Sequence, residues 1–344
     1  MRKKLSFPVV LGLGAFVCIL SIGIAVGLGS VRIPPMKTLQ ILKDAMLSST
    51  VSGQDYTLIE QNTILLLRLP RVLLGGVVGA SLAVCGVSMQ ALVRNRLADP
   101  FILGVSSGAS TFATLDMLFG VFAFLGAYRL SLSAFIGASI TIVVVYLLSR
   151  KKGRIHMAQL LLSGVAISMI MDGFTKMITL SAPNALGMHS AEFWMSGSLA
   201  GAKWEYLTLP LLTMIVCMMV LLFHHRTLNV LLLGEDTAGT LGIHVAGVQK
   251  LLILISSLLA GVTIAVSGSI GFVGLMCPHF ARMLVGSDHK KVLPLSAILG
   301  AILVIWTDVA ARMLFAPEEL PLGILTAIIG GPIFLMLLRK KQKN

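Results

Sequence analysis

A short polar segment between two long apolar ones decides how this chain is interpreted: Leu233-Gly234-Glu235-Asp236-Thr237-Ala238-Gly239-Thr240-Leu241-Gly242. Two acidic residues stand where a helix would begin and a glycine stands where it would stop, so the segment predicts a short capped helix. It lies within a longer polar stretch, residues 226–250. A passive connector between membrane helices needs only a few residues. A capped helix at a membrane face therefore indicates a surface that another protein binds, and we expect that partner to supply energy.

Composition places the chain among membrane proteins. Of its 344 residues, 56% are hydrophobic and 12% are charged, which is typical of a polytopic membrane protein. Each span needs about 20 apolar residues to cross roughly 30 Å of hydrocarbon. We predict an all-α fold and a single transmembrane domain, residues 1–344, with about ten spans: 5–29, 63–92, 102–120, 129–149, 155–180, 204–223, 246–266, 274–286, 292–314 and 321–338. The third and eighth spans are weak, and such segments are tolerated where protein or water surrounds them.

The basic residues predict the orientation of the chain. Most of the 27 Lys and Arg residues lie in segments that would face the cytoplasm if both termini are inside, and basic residues near span ends favour that side. The formal net charge of +13 is then mostly a consequence of topology, and we expect no nucleic-acid partner. The apolar run after the basic N-terminus is too long for a signal peptide, which predicts a retained first helix.

Two sequence patterns concern helix packing. Gly75 and Gly79 in the second span, and Gly104 and Gly108 in the third, have the spacing that lets helix backbones approach closely. In addition, Ser81-Leu-Ala-Val-Cys-Gly86 resembles Thr263-Ile-Ala-Val-Ser-Gly268. The two spans would run in opposite directions, so this similarity hints at inverted-topology repeats, a common construction among transporters.

Asp172 and Lys176 are charged residues inside the fifth predicted span. Each costs about 2.5 to 3.5 kcal/mol on insertion scales, so their presence needs a reason. At positions i and i+4 they share a helix face and can pair. One interpretation is that they line a polar translocation pathway and meet an anionic solute; the other is a structural ion pair near the outer end of the helix. The sequence leaves both open.

Motifs that the sequence lacks narrow the function. It contains no P-loop phosphate-binding motif, no zinc-protease motif and no nucleophile elbow. The four cysteines and seven histidines form no metal-ligand pattern. We therefore expect no catalytic residues, no metal site and no cofactor bound by this chain. An integral membrane enzyme is disfavoured, and a transporter remains, driven either by an ion gradient or by a separate ATPase.

Several stretches, taken in order, resemble the FecCD family of bacterial ABC-importer permeases. They are Arg68-Leu-Pro-Arg71, Gly86-Val-Ser-Met-Gln-Ala-Leu92, Asp99-Pro-Phe-Ile-Leu-Gly-Val-Ser-Ser-Gly108, Phe193-Trp-Met-Ser-Gly-Ser-Leu199, Leu233-Gly-Glu235, Gly271-Phe-Val-Gly-Leu275 with Pro278-His279, Gly286-Ser-Asp-His289, and Glu319-Leu-Pro-Leu-Gly323. Any one stretch is weak, but together they extend over nearly the whole chain in the same order.

The resemblance implies a type II ABC-importer permease with short helices 3 and 8, paired with a second permease as a homodimer or heterodimer. Two cytoplasmic P-loop ATPase subunits, which hold ATP and Mg²⁺, would bind beneath, and an extracytoplasmic substrate-binding protein would deliver the cargo. Residues 226–250 would be the cytoplasmic coupling-helix loop. Its predicted ATPase-coupling residues are Gly234, Glu235, Asp236, Thr237, Ala238, Gly239, Leu241 and Gly242.

The resemblance also implies roles at both membrane faces. Arg68, Arg71 and Arg312 would meet acidic residues of the binding protein outside, although arginines at span ends often only extend towards the interface. Asn95 and Leu97 resemble the cytoplasmic gate. The sequence departs from the family there, because Arg96 replaces a common proline, and again where Ser269 replaces a frequent one.

The function predicted from the sequence is that of a permease subunit in the bacterial cell membrane, working by alternating access. The implied cargo is an iron chelate, and a possible contact with Lys176 favours an anionic ferric siderophore over haem and cobalamin. An ion-gradient-driven secondary transporter is the rival class, because it would also have about ten spans and an intramembrane charge pair. A membrane-embedded scaffold or enzyme is the third.

Overall fold

The computed structural model describes residues 6–29, 31–47, 56–151 and 154–341, and these ranges are almost entirely helical. The helices are α1 (Phe7–Gly27), α2 (Pro35–Leu47), α3 (Leu58–Asn62), α4 (Leu69–Val93), α5 (Val105–Phe119), α6 (Arg129–Ser149), α7 (Met157–Leu180), α8 (Ala185–Met195), α9 (Thr208–Phe223), α10 (His225–Leu231), α11 (Glu235–Thr240), α12 (Val245–Ser267), α13 (Val273–Val285), α14 (His289–Met313) and α15 (Leu322–Lys341). Two short antiparallel strands, β1 (Arg150–Lys151) and β2 (Arg154–Ile155), join α6 to α7.

Each predicted span overlaps a helix of at least 13 residues. Seven helical segments within the described residues are long and apolar enough to cross a membrane: Phe7–Gly27, Leu58–Val93, Ala123–Ser149, Met157–Leu180, Trp204–Phe223, Val245–Ser267 and His289–Met313. Two shorter apolar ones are Val273–Val285 and Leu322–Met336. The protein is therefore a multi-pass helical membrane protein. The exact number of spans stays a prediction, and the start of the span 5–29 lies outside the described residues.

The two weak spans are short helices in the structure. The third begins with a 3-10 turn, Pro100–Leu103, and continues as α5 after Gly104, whose φ of 77° is left-handed. The eighth is α13, which has only 13 residues and contains Pro278. Glycines set the ends of both: Gly104 and Gly120, with φ 77° and 64°, flank α5, and Gly286, with φ 85°, ends α13, since glycine adopts positive φ without strain.

Helix α4 is the centre of the bundle, and nearly all of its residues from Pro70 to Leu92 are buried. It packs on α12, α13 and α14, whose contact faces are also buried. Close approach is made possible by glycines: a Cβ added to Gly79 would lie 2.1 Å from the carbonyl oxygen of Gly300, and one added to Gly86 would lie 1.8 Å from that of Gly274. The small residues of the second span are thus packing positions.

Serine side chains join α4 to α12. Ser256 Oγ donates to Ser88 Oγ at 3.0 Å, and Ser88 Oγ donates to the carbonyl of Leu252 at 3.3 Å. Hydroxyl bonds between buried helices are a recurrent form of association in membrane bundles. Of the two segments that resemble each other in sequence, residues 81–86 lie in α4 and residues 263–268 lie at the end of α12. Their relation as inverted repeats stays a prediction.

The turn between α12 and α13, where Ser269 replaces a frequent proline, is tightly enclosed. Ser106 Oγ donates to Ser269 Oγ at 2.7 Å, which ties the turn to α5. The Ser269 carbonyl would lie 2.4 Å from a Cβ on Gly197 and 2.7 Å from one on Gly323. Serine therefore gives this turn a hydrogen bond that proline could not form.

We expect Gly86→Ala to destabilise the protein by about 1–3 kcal/mol, because overpacking a buried helix contact forces backbones apart. The measurement is the unfolding transition of the purified protein in detergent. Gly12→Ala is the matched control: no atom lies within 4 Å of a Cβ at that position, and alanine is favoured over glycine inside a helix. Equal stability of the two variants would contradict the close-packing interpretation.

Candidate functional site

The polar loop that follows α9 folds as two short helices, α10 and α11, and the second confirms the predicted capped helix. Glu235 and Asp236 form the first turn of α11, after Gly234 with φ 113°. At the other end Gly242, with φ 81°, lets the Ile243 amide donate to the Ala238 carbonyl at 3.0 Å. A positive-φ residue with a bond of this kind is a common helix stop, and glycine adopts it without strain.

Apolar side chains project from this loop. Leu233 and Leu241, which flank α11, are 66% and 62% exposed, whereas Ala238 is fully buried against the rest of the chain. Isolated exposed leucines are ordinary. One leucine on each side of a short polar helix, however, forms an apolar surface of the sort that binds another protein. The predicted coupling role of the loop stays a prediction.

The loop is anchored to the bundle by α10. Asn229 Nδ2 donates to Asp288 Oδ1 at 2.8 Å, and the backbone amide of His289 donates to Asn229 Oδ1 at 2.9 Å. The bond from Asn229 lowers the pKa of Asp288 below its usual range, and the Lys290 amide contributes in the same direction. Asparagine thus fixes α10 to the start of α14.

Glu235 anchors α11 in the same way. Arg94 Nη2 lies 2.8 Å from Glu235 Oε1, and Gln249 Nε2 donates to the same oxygen at 3.2 Å. Arg94 is the residue that ends α4, in a left-handed conformation with φ 55°. Neither Arg94 nor Gln249 was among the site residues predicted from the sequence.

The predicted gate residues lie in the turn directly after Arg94. Asn95 Oδ1 accepts a hydrogen bond from the Leu97 amide at 3.0 Å, which is a local turn that asparagine favours. Asn95 and Arg96 are exposed, and Leu97 is half-buried. The structure thus brings these residues close to the coupling-helix loop through Arg94, while their role as a gate stays a prediction.

Asp172 and Lys176 lie on the exposed face of α7. No ion pair joins them, so the pairing that their spacing allowed is not formed. Another face of α7 packs on α5, where Thr175 Oγ1 and Thr111 Oγ1 lie 2.8 Å apart. Both charges are therefore presented outwards from the subunit, and neither is neutralised by the other.

The three arginines predicted to meet a partner outside are buried in this chain: Arg68, Arg71 and Arg312 are 6%, 9% and 5% exposed. Arg71 Nη2 lies 2.9 Å from Asp308 Oδ1. Both terminal nitrogens of Arg71 also donate to the carboxylate of Glu319, at 2.9 Å each. Arg312 Nε lies 3.0 Å from Asp308 Oδ2. We call these five residues the outer arginine cluster.

The cluster also fixes the end of α1. Arg312 Nη1 donates to the Leu28 carbonyl at 3.1 Å, and Arg68 donates to the carbonyls of Gly27, at 3.0 Å, and Val31. The arginines therefore join α1, α4, α14 and the segment before α15, which is a structural role that the sequence did not indicate. Docking of a partner there stays a prediction. The pairing of Asp308 with Arg312 could have been predicted from the sequence, because Asp308 stands four residues before Arg312 inside a span.

No group of three or more His, Cys, Asp or Glu side chains that could hold a metal ion occurs among the described residues. The bundle, which carries a folded loop at one end and a charged cluster at the other, is that of a multi-pass helical membrane protein. The comparison with protein families is specific: the chain belongs to the FecCD transport family, whose model matches residues 17–340.

Relatives of known description extend over most of the chain. It is 36% identical over 347 residues to the "Probable siderophore transport system permease protein YfhA" of Bacillus subtilis (strain 168), covering 100% of this chain and 96% of that protein. It is 39% identical over 276 residues to the "Cobalamin import system permease protein BtuC" of Halobacterium salinarum (strain ATCC 700922 / JCM 11081 / NRC-1), covering 80% of this chain and 73% of that protein.

The fold agrees with a solved structure described as an inward-facing conformation of a metal-chelate type ABC transporter. The TM-score is 0.82 at 32% sequence identity, and the match covers 97% of this chain and 99% of that one. The all-α, multi-pass ABC-permease architecture is therefore confirmed.

We expect Asp308→Leu to destabilise the protein by about 3–5 kcal/mol, because Arg71 and Arg312 would lose the buried carboxylate that they share. The measurement is a denaturant titration of the purified protein in detergent. Glu318→Gln is the control, since Glu318 is exposed beside the cluster. A loss of stability in the control as large as that of Asp308→Leu would show that the buried pairing is not responsible.

Proposed function

We propose that this chain is the membrane-spanning permease subunit of an ABC importer that takes up an iron chelate, with a ferric siderophore as the first candidate. The observation that carries the proposal is family membership, together with similarity to a siderophore permease over the whole chain. The structural match to a metal-chelate type transporter supports the same cargo class.

The exposed face of α7 supports a translocation pathway. Asp172 and Lys176 are presented outwards from a span and are not paired with each other. In contact with lipid, each would cost about 2.5 to 3.5 kcal/mol on insertion scales. A second permease subunit, or a water-filled pathway between two such subunits, would remove that cost. We therefore place α7 beside the pathway, where Lys176 could meet an anionic chelate.

The loop of α10 and α11 supports docking of an ATPase. Its exposed leucines, Leu233 and Leu241, would be covered by a cytoplasmic partner. ATP and Mg²⁺ would be held by two such partners, and this chain would bind no cofactor itself. The basic residues favour this loop and both termini on the cytoplasmic side. A binding protein would then deliver the cargo from outside.

Alternating access follows from these partners. ATP would bind more tightly to a closed ATPase pair than to an open one, and only such a difference in affinity shifts the equilibrium between two states. Movement of the docked loops would then rock the two permeases about the pathway. An ion-gradient-driven transporter is not favoured, because the family and the relatives are those of ABC systems.

Haem is the second candidate cargo and cobalamin the third, because permeases described for hemin and for cobalamin are each as similar to this chain as the siderophore permease is. All three cargoes are tested in the same experiment. Since a permease performs no chemistry on its cargo, only a transport measurement distinguishes them.

We expect deletion of this chain to abolish uptake of one labelled ferric siderophore by iron-starved cells, and to leave uptake of haem and cobalamin unchanged. Depletion of ATP at constant membrane potential should stop the same uptake in wild-type cells. If uptake of haem or of cobalamin is lost instead, that molecule is the cargo and the siderophore is not. Uptake that follows the ion gradient and not ATP would overturn the importer proposal.

We expect Lys176→Gln to lower uptake of the anionic cargo at least about tenfold, since a single lost charge contact of about 1.4 kcal/mol corresponds to that factor. The measurement is uptake normalised to the amount of the protein in the membrane. Lys43→Gln is the control, because it removes an exposed cation of α2, away from α7 in the sequence. Normal uptake by Lys176→Gln would show that Lys176 does not contact the cargo in the pathway. A loss of expression would indicate a structural role.

A further inference from the structure

We propose that the contact between Glu235 and Arg94 transmits movement of the docked ATPase into the transmembrane bundle, an inference that rests on the function proposed above. Glu235 is thus a positioning residue that faces into this chain, and the ATPase binds the remaining surface of α11.

The geometry brings three elements together at one carboxylate oxygen. Arg94 Nη2, from the end of α4, lies 2.8 Å from Glu235 Oε1, and Gln249 Nε2, from the first turns of α12, donates to the same atom at 3.2 Å. Gln249 is only 3% exposed. A charge-assisted bond with an additional donor is stronger and more directional than a single neutral bond.

Within the described residues, Glu235 is the one side chain of α11 that hydrogen-bonds to another helix. The hydroxyl of Thr240 bonds only within α11, to the carbonyl of Thr237. Ala238 is buried but can make apolar contacts only. A force that a docked protein applies to α11 therefore reaches the bundle through the directional hydrogen bonds of Glu235. It also reaches the bundle through the packing of Ala238.

Arg94 is well placed to receive that force. It ends α4 with φ 55°, and the predicted gate residues Asn95 and Leu97 follow directly. A cation at the carboxyl end of a helix is also favoured by the helix dipole. A displacement of Glu235 would thus move both the end of α4 and the turn beyond it.

Helix α4 can carry the displacement across the membrane. Its 25 residues extend over roughly 38 Å, and glycine contacts hold it closely against α13 and α14. At its other end, Arg71 is fixed to Asp308 and Glu319. The same closely packed helix therefore joins the ATPase-docking loop to the outer arginine cluster.

Stability alone does not explain the pair. The side chains of Arg94 and Glu235 are 36% and 38% exposed, and exposed ion pairs contribute little to the free energy of unfolding. A surface pair without function would be replaceable by neutral residues at no cost to transport. A transmitting pair requires a bond between the two positions but not a particular direction of charge.

The test uses the whole transporter, purified through this chain from its own membranes with its partners and reconstituted in liposomes. The variants are Glu235→Gln, Arg94→Gln and the exchange Arg94→Glu with Glu235→Arg. Lys43→Gln is the control, because it removes an exposed cation of α2, outside the polar stretch 226–250. Cargo transported per ATP hydrolysed is measured with the ferric chelate identified in cells, and co-purified ATPase reports assembly.

We expect each single variant to keep its ATPase but to transport at least about fivefold less cargo per ATP, which is a typical size of coupling between two sites. The exchanged pair should recover most of the ratio, because Gln249 can rotate its amide to accept from an arginine. Recovery by exchange is a result that loss of folding or of a docking contact would not produce.

Two results would overturn the inference. In the first, the single variants transport as efficiently as the control. In the second, they lose the ATPase altogether and the exchange does not restore it, so that Glu235 is a docking contact. Both differ from failure of the proposed function, in which the unaltered transporter itself moves no iron chelate, haem or cobalamin.

Discussion

Contact between glycine backbones is the constraint on which the rest of this protein depends. Lipid offers helices no hydrophobic reason to associate, so close packing and interhelical hydrogen bonds must hold them together. Here Gly79 meets Gly300 and Gly86 meets Gly274 so closely that no Cβ fits between them. Helix α4 is thereby fixed in the centre, and the two groups of polar residues at its ends, at Arg71 and at Arg94, have fixed positions relative to each other.

Features encoded by neighbouring residues were predictable from the sequence. The span 246–266 agrees with Val245–Ser267, because its apolar length is a local property. The helix Glu235–Thr240 was predictable because its acidic start and its glycine stop lie within ten residues. In contrast, α2 and α8 lie between spans and have mixed composition, so neither hydropathy nor capping indicated them.

Long-range pairing was not predictable, and most of the candidate site depends on it. Arg71 finds Asp308 237 residues later and Glu319 248 residues later, and Arg94 finds Glu235 141 residues later. The sequence identified Arg71 and Glu235 but described both as surfaces for other proteins. It also allowed Asp172 and Lys176 to pair. Spacing makes two side chains neighbours on one helix face, but it does not fix the rotamers that would bring their charges together.

The outer arginine cluster also has an effect beyond its contacts. Its three arginines face only two carboxylates, those of Asp308 and Glu319, so one positive charge is left over even when every ion pair is made. A field of that sign extends over about a Debye length, roughly 8 Å in physiological salt. Buried arginines can therefore still accelerate the approach of an acidic protein or an anionic solute, and that acceleration would weaken as ionic strength rises.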